Sequence, residues 1–176
     1  MDAIFSSFLE EQEREALEMA RESDLLDVEC VGSRPYQHFL LRFYCQGLVQ
    51  TSDGIAEAEL FEIGVFYPLD FHERANPGEV LTLLGPVNVF QPAIRFPFIC
   101  PGRLMPGTSL TDLILQCFEI LTWAKVTMSE DDALNPAACK WARQNIDRFP
   151  IDDRPLLNRR IKPRVRKTAT PKEARR

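Results

Sequence analysis

A chain of 176 residues, 45 % of them hydrophobic, is sized for one globular domain around a single core. It has no apolar run long enough to span a membrane, and its first residues, Met-Asp-Ala-Ile-Phe, lack the basic start of a secretory signal. A cytoplasmic protein with no membrane partner is therefore expected, its net charge of −5 divided between an acidic body and a basic stretch from Arg154 onward.

Residues 2–22 read as a helix. Asp2 stands where an N-cap belongs, and Ile4, Phe5, Phe8, Leu9, Ala16, Leu17 and Ala20 recur at helical spacing. The opposite face carries Glu10, Glu11, Glu13 and Glu18. The apolar stripe is expected to pack on the body, with docking of a partner protein as the alternative.

Strand-like segments follow at 25–31, 36–49 and 60–66, with Ser52-Asp53-Gly54 marking the turn between the second and third. A fourth, 80–84, is entered through Asn76-Pro77-Gly78. The connections are too short for helical crossovers, so an antiparallel meander is expected. The stretch 85–107 has little periodicity and holds Pro86, Pro92, Pro97, Pro101 and Pro106; irregular segments of this length inside a domain are usually functional.

Residues 109–126 form a strong helical pattern with a wide apolar face. A second helix is expected over 136–146, capped by Asn135 or Asp132, with Pro136 at its first position. The fold class is thus α+β: an N-terminal helix, a four-stranded antiparallel meander, a long loop and C-terminal helices. The domain is drawn at 1–150 and a basic, flexible tail at 151–176, although 151–157 retain enough apolar residues to lie on the body.

The five cysteines are Cys30, Cys45, Cys100, Cys117 and Cys139, and the two histidines are His38 and His72. An odd count at wide spacing with no CxxC pair argues against both a disulfide framework and a zinc site, and no cofactor is expected. Cys117 and Cys139 sit inside helical patterns and read as core residues. Cys100 stands apart in a Pro- and Gly-rich segment, Ile99-Cys100-Pro101-Gly102-Arg103-Leu104. In that setting the thiol is a candidate nucleophile, the competing reading being a small buried hydrophobe, the usual fate of a free cysteine.

Four features in order carry a resemblance. Tyr67-Pro68 closes the third strand. Gln91-Pro92-Ala93 precedes Ile99-Cys100-Pro101 by a short segment. Asp131-Asp132-Ala133-Leu134-Asn135-Pro136-Ala137-Ala138 opens the last helix. Over roughly residues 2–148 the chain resembles the ubiquitin-conjugating enzyme family, with its Tyr-Pro turn, its His-Pro-Asn tripeptide ahead of an Ile-Cys-Leu catalytic turn, and its Asp-Asp-Pro-Leu-Asn-Pro-Glu-Ala segment. The resemblance implies that Cys100 accepts a ubiquitin-like protein, or another protein's C-terminus, from an activating enzyme and passes it to an amine, usually a lysine of an acceptor protein. It implies that Asp132, with Asp131 as the fallback, orients the incoming lysine and takes up its proton; helix capping is the competing role. Pro101 and Gly102 would border the bound C-terminal tail, with Gly102 leaving room for its approach.

Two departures stand out. Ala93 occupies the place of the family's Asn and has no side-chain donor; losing one oxyanion donor costs roughly 3 kcal/mol of transition-state stabilisation. Gln91, in place of the His, keeps an amide; the candidate substitutes are Gln91, Asn88 and backbone amides near Pro101-Gly102. Pro101-Gly102 replaces the usual Leu-Asp. In outline this resembles divergent bacterial relatives encoded beside activating-enzyme-like and ubiquitin-like proteins, some of them in antiphage systems. A catalytically silent binding module of the same fold is the alternative reading. The basic tail has no interleaved aromatic residues, so nucleic acid is not the expected partner; weak, salt-dependent phosphate binding, contact with an acidic partner, solvation of the terminus and self-modification at Lys162, Lys167 or Lys172 all stay open.

Overall fold

The computed structural model describes residues 2–102 and 104–157; most of the expected basic tail lies outside the described residues. Helix α1 (Ala3–Arg21) starts where Asp2 Oδ1 accepts the Phe5 N–H at 2.7 Å. Its buried face is Phe5, Leu9, Ala16 and Met19, joined by Gln12 and Glu13. Gln12 is buried for a reason: its Oε1 accepts the Leu110 N–H at 2.7 Å and so satisfies a free donor at the start of a later helix. Ile4, part of the expected stripe, is instead 76 % exposed.

Strands β1 (Leu26–Val31), β2 (His38–Phe43), β5 (Phe61–Phe66) and β6 (Leu81–Gly85) form the expected four-stranded antiparallel sheet, in the order β1-β2-β5-β6. Its register sets Val28 opposite Leu41, Leu41 opposite Ile63, and Ile63 opposite Leu83. All four are buried, so one continuous apolar row crosses the inner face. Helix α3 (Leu110–Leu121), N-capped by Ser109, belongs to the same core, and its Phe118 ring meets Phe43 at 6.5 Å. Tyr67 closes β5 as a buried post: its hydroxyl donates to Thr108 O at 3.2 Å, and its ring meets Phe8 and Phe71 edge-on.

One expected element divides. The segment 36–49 is not a single strand but β2 followed, after Tyr44–Gln46, by β3 (Gly47–Thr51). The cause is distant in sequence. Asp152 Oδ2 accepts the Gln46 N–H at 2.8 Å and Arg154 Nη2 donates to Tyr44 O at 3.3 Å, so the C-terminal segment captures the backbone groups that a continuous strand would use. Strand β3 then pairs with β4 (Gly54–Ala58) in a separate hairpin. Ser52-Asp53-Gly54 is the turn of that hairpin, with Gly54 at φ +126°, rather than a direct link between sheet strands.

The irregular segment is tied down. Phe90 N–H donates to Leu48 O and Gln50 N–H to Asn88 O, each at 2.8 Å, which runs residues 88–90 alongside β3. Further on, β7 (Ile94–Arg95) and β8 (Phe98–Ile99) make a short hairpin that delivers the chain to Cys100. Helix α2 (Pro77–Val80) is a single turn ahead of β6.

Helix α4 (Pro136–Gln144) is capped by Asn135, whose Oδ1 accepts the Ala138 N–H at 3.1 Å. Its Ala138 and Ala142 pack in a second core cluster with Leu48, Phe90 and Trp123. Phe149 stacks on Trp123 at 4.9 Å, Ile151 N–H donates to Thr122 O at 2.8 Å, and Leu156 is buried in the main core. Packing therefore continues past residue 150 to Leu157, as the apolar content of 151–157 indicated. No helix among the described residues is long and apolar enough to cross a membrane.

Candidate active site

The site is built around three backbone segments. The first is the turn Gln91-Pro92-Ala93. Gln91 is fully buried, and both ends of its amide are committed. Its Oε1 accepts the Ala93 N–H, and its Nε2 donates to Lys125 O at 3.1 Å. The neighbouring Pro92 O accepts the Asn135 N–H at 3.0 Å. The turn is thereby fastened both to the loop after α3 and to the cap of α4.

The second segment is Cys100–Gly102. Cys100 N–H donates to Ala93 O at 2.8 Å, continuing the pairing of Ile94 with Ile99. This fixes the cysteine backbone and leaves its side chain half-buried. Gly102 follows at φ +101°, a conformation that side chains resist. A Cβ built there would meet only Lys125 Nζ, at 3.9 Å, an ordinary contact. The backbone angle, and not crowding, is what calls for glycine here.

The third segment is the loop from Thr122 to Asn135. Helix α3 ends in an abrupt reversal at Trp123, which is buried with φ +63°. A left-handed tryptophan costs about 1–2 kcal/mol. The ring offsets this by packing on Phe149, Trp141 and Phe90. The reversal brings Lys125 back towards the cysteine, and Lys125 Nζ donates to Pro101 O at 2.6 Å. From the other side α4 holds the loop: Cys139 Sγ donates to Thr127 O at 3.3 Å, while Arg143 bonds Met128 O and pairs with Glu130.

Between these segments lies a cleft of about 170 Å³. Ala93 and Ile120, both buried, form its apolar floor, and Cys100, Pro101, Gly102, Lys125, Thr127 and Asp132 complete it. Asp132 is exposed and is not the α4 cap, since Asn135 fills that place. Its carboxylate is accordingly left for the cleft. Asp131, the fallback, is exposed but does not line the cleft.

Two of the residues expected here take other roles. Gln91 is no donor to an oxyanion in the cleft, because it is fully buried and does not line it; its bonds to Lys125 O and from Ala93 N–H position the loop instead. Asn88 lies outside the cleft, with its Nδ2 donating to Gln50 O at 2.8 Å on the β3 side. Lys125, which the sequence pattern did not single out, is brought in by the reversal at Trp123. The only hint of it in the sequence was a lone cation between Trp123-Ala124 and Val126.

The remaining thiols are poorly placed for chemistry. Burial pushes the Cys45 and Cys117 thiols up to about 12, with Asp152 adding to the effect at Cys45. The Cys30 thiol is also raised, by burial and by Glu13. Among the described residues no His, Cys, Asp and Glu cluster has the arrangement of a metal site.

No protein-family model matches the chain, and no curated protein matches it either. What the cleft can do chemically therefore rests on its own contents. A partly open thiol, a carboxylate and an ammonium share one small cleft, next to a stretch of backbone held by glycine. That set suits nucleophilic acyl transfer to an amine.

Proposed function

We propose that this protein is a ubiquitin-conjugating-enzyme-like transferase. It accepts the C-terminus of a ubiquitin-like protein from an activating enzyme as a thioester on Cys100 and passes it to an acceptor amine, a lysine side chain. The observation that carries this reading is the half-buried Cys100 thiol sharing a cleft with Asp132. The succession of N-terminal helix, antiparallel meander, irregular segment, cysteine and two helices supports it, as do Tyr67-Pro68 and residues 131–138 in their places.

The chemistry runs in two balanced steps. The Cys100 thiolate attacks the carbonyl of the incoming thioester; the new C–S bond forms, the old one breaks, and the departing thiolate takes up a proton. An amine then attacks the Cys100 thioester. The C–N bond forms, the ammonium proton passes to the Asp132 carboxylate or to water, and the Cys100 thiolate leaves.

The test is incubation with the activating enzyme and ubiquitin-like protein encoded nearest to this chain's gene, plus ATP, read by mass under non-reducing conditions. An adduct removed by thiols in the wild type and absent in Cys100→Ala is the expected result. A thiol-sensitive adduct that persists in Cys100→Ala sinks the assignment.

Ala93 favours a second reading, a silent binding module, because no side-chain amide faces the cleft at that point. Binding of the ubiquitin-like protein with no thioester under any of these conditions would select it. The placement in a divergent bacterial branch, including antiphage operons, rests on the same resemblance and is tested by whether an adenylating enzyme is encoded alongside.

A further inference from the structure

We propose that Lys125 supplies the oxyanion stabilisation that Ala93 cannot: its ammonium binds the oxyanion that develops when the Cys100 thiolate attacks the carbonyl of the incoming thioester. The inference rests on the acyl-transfer reading of Cys100 and names the group that assists it.

The argument starts from the donors present. A tetrahedral intermediate at a thioester carbonyl places a full negative charge on one oxygen, and a cleft that promotes it needs N–H or O–H groups aimed there. The side chain of Ala93 has none. Gln91 is fully buried, is not among the residues that line the cleft, and bonds the backbone through both its nitrogen and its oxygen. Among the described cleft residues besides the nucleophile, only Lys125 and Thr127 carry side-chain donors, and Lys125 alone carries a positive charge.

The position of the ammonium is constrained by two bonds. Lys125 O accepts from the buried Gln91 amide at 3.1 Å, which fixes its backbone. Its Nζ donates to Pro101 O at 2.6 Å, one residue beyond the nucleophile, which fixes the tip of its side chain. An ammonium has three N–H donors, and this bond uses one; the described residues show no partner for the others. A cation held beside Cys100 with donors to spare can accept an oxyanion without releasing Pro101, so little reorganisation accompanies the step. The strained reversal at Trp123, two residues earlier, is what turns the chain so that Lys125 reaches the cleft.

The step balances without any further reagent. The Cys100 thiolate forms a bond to the carbonyl carbon, and the carbonyl π electrons move to oxygen, where the Lys125 ammonium meets them. Collapse expels the donor thiolate, which takes a proton from water. Lys125 ends the step as it began.

The test uses the full chain and a short peptide ending in Gly-Gly, supplied as its 2-mercaptoethanesulfonate thioester, so that no natural partner is needed. Transfer of the acyl group to Cys100 is followed by intact mass. In parallel, Cys100 is alkylated with iodoacetamide, a displacement at saturated carbon that forms no oxyanion. Lys125→Met is expected to slow acyl transfer at least about tenfold, less than the ~100-fold of an enclosed donor because the residue is solvent-exposed. Its alkylation rate should stay within about twofold of wild type, and Lys125→Arg should recover part of the loss.

Equal slowing of both reactions would mean that Lys125 acts on the thiol or on the loop, and would overturn the proposal. So would an unchanged acyl-transfer rate. An adduct that migrates from Cys100 to Lys125 and resists thiols would show Lys125 to be an acceptor amine instead. If the wild type alkylates at Cys100 but accepts no acyl group, the acyl-transfer reading itself fails and this inference falls with it.

Discussion

Gln91 donates its side-chain amide to the backbone carbonyl of Lys125 at 3.1 Å, across 34 residues of sequence, and its other amide atom accepts the N–H of Ala93. One buried side chain thus joins the turn ahead of the cysteine to the loop beyond it. The amide acts as a brace, and two backbone groups depend on it.

Removing the brace has a definite expected cost. Gln91→Ala strands the Ala93 N–H and the Lys125 carbonyl together, and a stranded buried group costs ~1–3 kcal/mol, with water entering the space recovering part of it. A loss of about 2–4 kcal/mol in urea unfolding is expected. Gln91→Glu should do no better at neutral pH, since its carboxylate would face the Lys125 carbonyl. Unchanged midpoints for both variants would contradict the geometry.

Trp123 offers a test of backbone strain. Truncating a buried tryptophan costs about 3–5 kcal/mol. At φ +63°, however, glycine is relieved of the steric penalty that alanine keeps. Trp123→Gly should therefore be more stable than Trp123→Ala by about 1 kcal/mol, the reverse of their order inside a helix. Thermal or urea unfolding of the pair reads this directly, and the helical order would show that the left-handed conformation is wrong.

The thiols should separate by reactivity. Cys45 and Cys117 are fully buried, with values raised to about 12, so at neutral pH they react only after unfolding. Cys30 is partly exposed but also raised, and Cys139 is buried with its thiol on Thr127 O. Mapped alkylation of the native chain should find Cys100 modified first. Faster labelling at Cys30 would remove the structural basis for choosing Cys100.

Much of this arrangement was legible in the sequence, and what was missed has physical causes. Helix α1 and the four sheet strands show because their apolar positions repeat at the period of their own element. Strand β4 was missed because Gly54-Ile-Ala-Glu-Ala58 has weak strand propensity and is held by pairing with β3. The break at Tyr44–Gln46 is imposed by Asp152 and Arg154, more than 100 residues away, and no local pattern can announce it. The cysteine and Asp132 stood out through neighbouring motifs. Lys125 did not, because its partners are the backbone carbonyl of Pro101 and the side chain of Gln91, and such pairings leave no signature in spacing.

The same C-terminal contact gives a pH dependence. Arg154, bonded to Asp152, holds that carboxyl below the usual carboxylate range, with the Gln46 and Arg154 N–H groups helping. A folded-state value depressed below the unfolded one means that the unfolded chain binds the proton more readily. The stabilisation is therefore complete above the unfolded value of about 3.9 and is lost as pH falls through the lower folded value. Asp152→Asn cannot titrate, so its urea midpoint should fall less than that of wild type between about pH 7 and pH 3. An identical fall in both would show that Asp152 is not a source of the acid sensitivity.

The last prediction separates the two neighbouring carboxylates. Asp132 lines the cleft and Asp131 does not, although both are exposed and adjacent. If Asp132 takes the proton from an attacking amine, Asp132→Asn should slow transfer from a preformed Cys100 thioester to free lysine while leaving thioester formation unchanged. General-base assistance is worth ~100-fold or more where fully realised, and an exposed carboxylate that water can partly replace should give about tenfold. The defect should shrink as pH rises, because hydroxide then competes to remove the proton from the ammonium formed when the amine attacks. Asp131→Asn should leave both steps as they are. Equal defects in the two variants would point to a general effect of negative charge at the loop and not to a base at one position; no defect in either would leave water as the sole proton acceptor.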